Sequence, residues 1–297
     1  MTIQQAIERA KELRKSREEA TGRAVVREPV AASARTERRV PPSAARVAAA
    51  QAADEAAHPA AALAFPLLSP DAATCDRNRA LVAAEITPMT SIAHDAYRIM
   101  RTQLRTKAAK NGWQSFAVTS AGPGEGKSTT ALNLALSLAR EKRQNVFLID
   151  LDLRSPSLAS YLGVTPVTEI GSVLSGDADP QNAFFSIGVE QLAVAAGTRH
   201  FDNSSELLAG PALDELFAHI RSLDPGALTI VDLPPILATA DALVIAPKVS
   251  ATVLVVSEGK TRRDELQRAG EMLASLEIAG VVLNRSTQVS SSYYGYY

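Results

Sequence analysis

The chain has 297 residues and a near balance of 31 Lys and Arg against 32 Asp and Glu, a formal net charge of −1. That balance excludes a global field suited to nucleic acid, and a single cysteine, Cys75, excludes a disulfide framework and points to a reducing compartment. No apolar run reaches the roughly 18–20 residues that span a bilayer, and the first residues, Met1 to Arg9, lack the apolar core of a secretory signal, so a cytoplasmic chain is expected.

Residues 1–84 are rich in Ala, Arg, Glu and Pro and nearly free of aromatics. Such a segment buries too little apolar surface to offset its ordering entropy, so it is expected to be largely disordered. Within it Ile3, Ile7, Ala10 and Leu13 fall at helical spacing. They mark a possible short helix, either merely solvated or docking on a partner or membrane surface. The first 50 residues hold 11 Lys/Arg and 6 Asp/Glu, a net +5, which leans toward an anionic surface.

From about residue 85 to 297 the pattern becomes that of a folded domain. Thr90 or Ser91 is placed to cap a helix running through Tyr97 and Leu104. Strand-like runs follow at Phe116–Thr119, Val146–Asp150, Leu192–Ala195, Leu228–Asp232, Val253–Val256 and Val281–Leu283. Helices alternate with them near 128–141, 205–221 and 262–276. Short, nearly all-apolar strands between helices predict an α/β fold with a mainly parallel sheet covered on both faces. Ligands of such sheets bind at the carboxyl ends of the strands.

Three motifs lie at those ends. Residues 121–128, Ala-Gly-Pro-Gly-Glu-Gly-Lys-Ser, fit the phosphate-binding loop and sit between a strand and a helix. Gly122, Gly124 and Gly126 leave room for backbone N–H groups to turn inward, with Pro123, Glu125 and Thr129 completing the loop and its exit. Lys127 can reach the β- and γ-phosphates, and the Ser128 hydroxyl can ligate Mg²⁺. The second motif is the strand Val146–Ile149 followed by Asp150-Leu-Asp152-Leu-Arg154. Carboxylates at the end of a buried strand are costly unless they meet a cation, and Mg²⁺ held against nucleotide phosphates would supply one. The third, Leu228–Val231 followed by Asp232-Leu-Pro-Pro235, has the form of a Walker B strand whose Asp addresses Mg²⁺ or its water. An ordinary polar strand terminus is the bland alternative for both acidic motifs. His58, His94, His200 and His219 show no metal or triad spacing.

These motifs, in this order, resemble the cytoplasmic domain of the bacterial tyrosine kinases, the autokinases of capsule and exopolysaccharide synthesis. In that family the Asp150-x-Asp152-x-Arg154 strand is an additional Walker A′ motif. Asp95-Ala-Tyr-Arg98-Ile-Met-Arg101 resembles its Glu-x-x-Arg-x-x-Arg element, which joins protomers into a ring, with Asp in place of Glu. Asn284-Arg285, at the end of the last strand, resemble residues that lie near the adenine ring in related ATPases. The final residues, Tyr293, Tyr294, Tyr296 and Tyr297, resemble the family's tyrosine cluster.

The resemblance implies a P-loop NTPase-like three-layer fold, ATP and Mg²⁺ as cofactors, and autophosphorylation of the tail in trans. It also implies Asp150 as the base toward the tyrosine hydroxyl, Ser128 and Asp152 as metal ligands, Asp232 as support for the metal's water, and Arg154 as a brace for the acidic cluster. The partners it implies are a separate inner-membrane chain-length protein, a homo-oligomeric ring and a phosphotyrosine phosphatase, with peripheral attachment to the inner membrane and no nucleic acid.

The tail is informative in its own right, because four of the chain's six tyrosines fall in its last five residues. Tyrosine normally buries its ring, while chain ends are usually mobile. Such a tail suits threading into another molecule's active site, or else docking on a partner. Two other readings of the whole chain stay open on these residues. One is a partitioning or division-site ATPase, although that class carries a lysine where Gly122 stands. The other is an ATP-binding regulator of polysaccharide export that scaffolds without catalysis.

Overall fold

The computed structural model describes residues 63–82 and 88–286. The possible helix at Ile3–Leu13 and the tyrosines of the tail lie outside the described residues. The first correction concerns the boundary at residue 84, because residues 63–82 are folded onto the domain. Pro66 and Leu68 pair with Ser186: Leu68 N–H donates to the Ser186 carbonyl at 2.9 Å, and Ser186 N–H to that of Pro66 at 2.8 Å. Phe65 enters a cluster with Phe147 and Phe184, with centroids 6.2 and 5.8 Å away. Helix α1 (Ala72–Arg77) follows, capped by the Asp71 carboxylate, which accepts from Thr74 N–H. The segment ends on Asn133, whose Oδ1 accepts Leu81 N–H at 2.8 Å while Nδ2 donates to the Arg79 carbonyl at 2.9 Å. Composition missed this because a few apolar anchors, Phe65 and Leu68 among them, suffice when a preformed surface receives them.

The remaining elements are α2 (Pro88–Asn111), β1 (Ser115–Ser120), α3 (Lys127–Ala139), β2 (Val146–Asp150), α4 (Leu158–Leu162), α5 (Ile170–Leu174), β3 (Phe185–Ser186), β4 (Leu192–Ala195), α6 (Ser204–Ala209), α7 (Pro211–Leu223), β5 (Leu228–Asp232), α8 (Asp241–Ile245), β6 (Ala251–Ser257), α9 (Arg263–Met272) and β7 (Ile278–Asn284). Helix α2 begins at Pro88, so Thr90 and Ser91 lie in its first turn rather than capping it; proline is pre-organised for that position. The single helix expected over 205–221 is two, broken at Gly210-Pro211, where proline opens α7. Strands β2, β4 and β5 match the apolar runs to the residue, whereas β6 and β7 are longer.

The strands form one seven-stranded sheet in the order β3-β4-β2-β5-β1-β6-β7. Every pairing is parallel except that of β3 with β4. Because β5 inserts between β1 and β2, the carboxyl ends of these three strands lie side by side. Asp150 and Asp232 are direct register partners, about 4.8 Å apart by ordinary strand spacing. Helix α3 packs across β1, β2 and β5 and is itself covered by α2. Leu132, Leu134, Leu136 and Leu138 are all at most 1 % exposed, so α3 is buried on every side, as an all-round apolar helix must be. Leu132→Ala would cost about 2–5 kcal/mol. The helix that carries the phosphate loop is thus held rigidly by the core.

Candidate active site

The site lies where β1, β2 and β5 end. Gly126 caps α3 with φ 97°, a left-handed conformation open to glycine. A Cβ there would also stand 2.0 Å from Asn284 Nδ2. The loop is closed by its own glutamate: Glu125, 2 % exposed, accepts Ala121 N–H on Oε2 at 3.0 Å and the Thr261 hydroxyl on Oε1 at 2.6 Å. Asn284 Nδ2 donates to the Glu125 carbonyl at 2.9 Å. The loop backbone is therefore fixed from β6 and β7 as well as from its own helix.

Lys127 is buried between carboxylates. Its Nζ lies 2.8 Å from Asp152 Oδ2, 3.6 Å from Asp232 Oδ2 and 3.1 Å from the Ser128 hydroxyl. Burial pulls the ammonium's pKa down, but Asp232, Asp152 and Asp150 outweigh it and the net shift is upward. Asp150 is pushed up to about 7, by burial first and by the facing Asp232, against the pull of Lys127 and two backbone N–H groups. Asp232 is pushed up to about 6, again by burial first, with Lys127 and the Ser128 hydroxyl opposing. Perturbed acids in register at strand ends are the electrostatic signature of a functional site.

The three carboxylates are held differently. Asp150 accepts N–H bonds from Ser157 at 2.9 Å and Leu158 at 3.0 Å on Oδ2, and from Asp152 at 3.2 Å on Oδ1. It thereby anchors the loop that follows β2. Asp152 accepts Ser155 N–H on Oδ1 at 3.1 Å and keeps Oδ2 on Lys127. Asp232 is fully buried, yet neither of its oxygens receives a hydrogen bond of good geometry among the described residues. A buried carboxylate with an ion pair at 3.6 Å but no good hydrogen bond is costly, and a hydrated divalent cation would satisfy it. Among the described residues no three His, Cys, Asp or Glu side chains converge on one metal position. Mg²⁺ is commonly held by one or two carboxylates plus substrate phosphates.

A family model described as ParA, NUBPL iron-transfer P-loop NTPase, matches residues 113–294. Tyrosine-protein kinase YwqD of Bacillus subtilis is 34 % identical over 215 residues, which are 71 % of this chain and 89 % of that protein. The chain belongs to the bacterial tyrosine kinases. Tyrosine-protein kinase CpsD of Streptococcus pneumoniae serotype 4 is 31 % identical over 68 % of this chain and 88 % of its own. The kinase domain of the Escherichia coli tyrosine kinase ETK superposes with a TM-score of 0.60 at 25 % identity, covering 79 % of this chain and 95 % of that one.

In this member of the bacterial tyrosine kinases, the structure brings Gly122–Thr129, Asp150, Asp152, Asp232 and Asn284 to one place. Arg285 follows Asn284 with φ 57°, its N–H donating to Asn284 Oδ1 at 2.8 Å. Arg154 corrects its expected role. It turns away from the three carboxylates: Nε donates to the Ser204 hydroxyl at 2.9 Å and lies 3.5 Å from Asp241 Oδ2. That pairing spans 87 positions in sequence, so the motif gave no sign of it.

Asp95 and Arg98 form an exposed pair at 3.7 Å on α2. Arg101 does not share that outer surface. Its Nε lies 2.9 Å from Glu141 Oε1 and its Nη1 donates to the Ser137 carbonyl at 2.9 Å, within the same chain. Sequence reasoning missed Lys260 and Thr261, which brace the phosphate loop from the end of β6; no motif marks them.

Proposed function

We propose that this chain is an ATP-dependent protein-tyrosine autokinase that phosphorylates its C-terminal tyrosines in trans and thereby regulates exopolysaccharide or capsule polymerisation and export. The observation that carries the reading is the convergence of Lys127, Ser128, Asp150, Asp152 and Asp232 on one phosphate loop, in a chain of the tyrosine-kinase family. Phosphoryl transfer needs alignment and charge neutralisation more than covalent chemistry. Mg²⁺ and ATP, when bound, supply the transferable phosphoryl group and shield its charge.

The protein's residues do the rest. The loop amides and Lys127 would hold the phosphates, Ser128 and Asp152 would be the metal ligands, and Asp232 would support the metal's water. Asp150 accepts the proton of the tyrosine hydroxyl. Free tyrosine has a pKa near 10, so a carboxylate raised toward neutrality is a better-matched base than an ordinary aspartate. Lys127, now paired with Asp152 and Asp232, is the cation that would face the phosphates.

The acceptors in this reading are Tyr293, Tyr294, Tyr296 and Tyr297, and the adenine contacts are Asn284 and Arg285. Tyr97 is a poor acceptor, since it packs against the core and burial raises its pKa. Assembly into a ring uses Asp95 and Arg98, with Arg101 setting the position of α2. No helix among the described residues is long and apolar enough to cross a membrane. In this reading attachment to the inner membrane runs through a separate chain-length protein, with a phosphotyrosine phosphatase reversing the mark. The domain in this reading includes the segment from Phe65 onward, ahead of the boundary at 84. The test is phosphotyrosine on the purified full chain after incubation with ATP and Mg²⁺; ATP hydrolysis without phosphotyrosine would contradict the kinase reading.

A further inference from the structure

We infer that Lys260, in the turn between β6 and α9, is a second phosphate-binding cation of the nucleotide site. The inference rests on the nucleotide reading above and adds a residue that no motif supplies. Lys260 Nζ donates to the Pro123 carbonyl of the phosphate loop at 2.7 Å. It stands 2.8 Å from where a Cβ on Gly124 would be, so the ammonium rests directly on the turn of the loop. Gly124 has φ 67°, so backbone strain disfavours a side chain at this position and leaves room for the ammonium.

The turn that carries Lys260 is fixed. Lys260 N–H and Thr261 N–H both donate to the Ser257 carbonyl, at 3.1 and 3.0 Å. The Thr261 hydroxyl accepts Ser257 N–H at 2.8 Å and donates to buried Glu125 at 2.6 Å. A lysine on a fixed turn is delivered to one place, while its exposed side chain retains solvent-facing donors. Its partner is a neutral carbonyl, and among the described residues no carboxylate lies within ion-pair distance of it. An ammonium has three donors, so two remain for anionic oxygens.

Charge bookkeeping shows why the site needs it. Lys127 is already shared by Asp152 and Asp232 and faces Asp150. One ammonium against three carboxylates leaves no surplus cation for an incoming triphosphate. A divalent cation compensates part of that charge, and Lys260 adds a further positive group on the loop's outer rim. Lysine binds phosphate as a point charge rather than as a fork, so arginine can substitute for it but a neutral donor cannot.

The experiment is titration of the full chain with Mg-ATP by calorimetry, for wild type, Lys260→Ala, Lys260→Gln and Lys260→Arg, each with its melting temperature. The expected result is about a tenfold weaker affinity in Lys260→Ala and Lys260→Gln, near wild-type affinity in Lys260→Arg, and melting within 2 °C of wild type throughout, taking about 2–4 °C per kcal/mol as the scale for a chain of this size. Glutamine keeps a donor for the Pro123 carbonyl without the charge. Recovery in Lys260→Gln would therefore show a loop-bracing role and overturn the assignment, as would an unchanged affinity in Lys260→Ala. A wild-type chain that binds no Mg-ATP would overturn the nucleotide reading as well; normal wild-type binding with an indifferent Lys260 overturns this inference alone.

Discussion

The two ends of α3 carry opposite kinds of charge cluster. At its carboxyl end each oxygen of Glu141 has its own guanidinium, Arg101 Nε and Arg105 Nη1, both at 2.9 Å. These side chains are 16–23 % exposed, and two guanidinium cations face one carboxylate, an excess of positive charge. At the amino end three buried carboxylates share one ammonium, two of them have raised pKa values, and Asp232 lacks good hydrogen bonds. The same helix is thus pinned at one end by a cluster whose carboxylate is paired on both oxygens and presents a frustrated one at the other. Satisfied polar clusters hold a fold; a cluster left in deficit is completed by a ligand.

The largest expected effect comes from removing the cation that the three carboxylates share at the frustrated end. Lys127→Met should abolish autophosphorylation, measured as phosphotyrosine on the full chain, while near-native circular dichroism shows the fold intact. Asp152→Asn should follow, lowering turnover by about 10²–10³-fold, a few kcal/mol of lost electrostatic stabilisation. Similar losses from changes at Glu141 would erase the contrast between the two ends.

The comparison also fixes a sign for pH. Asp150 and Asp232 hold protons more tightly folded than unfolded, so the folded state binds more protons between about pH 4 and pH 7. Stability contributed by their protonation is present below that window and is lost as pH rises through it. Asp232→Asn removes one of these groups. Relative to wild type, the variant without nucleotide should become more stable between pH 5 and pH 8, by roughly 1–3 kcal/mol, read as the difference in urea midpoints. A constant difference across that range would refute the raised pKa of Asp232.

Smaller effects belong to the satisfied end and to the outer surface. Glu141→Gln should cost about 1 kcal/mol of stability and leave specific kinase activity of the folded protein near wild type. Arg98→Ala is the cleaner probe of assembly, because Arg98 is exposed whereas Arg101 is tied to Ser137 and Glu141. It should reduce the assembled fraction in light scattering with little change in unfolding midpoint.

Much of this arrangement was legible in the sequence. Continuous apolar runs ending in aspartate gave β2 and β5 to the residue, because a strand buried on both faces has no polar position until it leaves the sheet. The phosphate loop was legible because its glycines and Lys127 are local in sequence. What escaped was long-range. Phe65 and Leu68 dock on a surface formed more than 75 residues later. Arg154 finds Asp241, and Glu125 finds Thr261, across separations that no periodicity encodes. Strand β3, two residues long and antiparallel, is too short to carry a pattern.

The central claim, that the frustrated end of α3 transfers phosphate to a tyrosine tail in trans, has a direct test. A donor with Tyr293, Tyr294, Tyr296 and Tyr297 replaced by Phe is mixed with a Lys127→Met acceptor in the presence of Mg-ATP, and phosphotyrosine is located by peptide mass spectrometry. The account predicts phosphate on the acceptor's four tail tyrosines and none on either protein alone. Phosphotyrosine confined to Tyr97 or Tyr161, or absent from the mixture while wild type modifies itself, would contradict it.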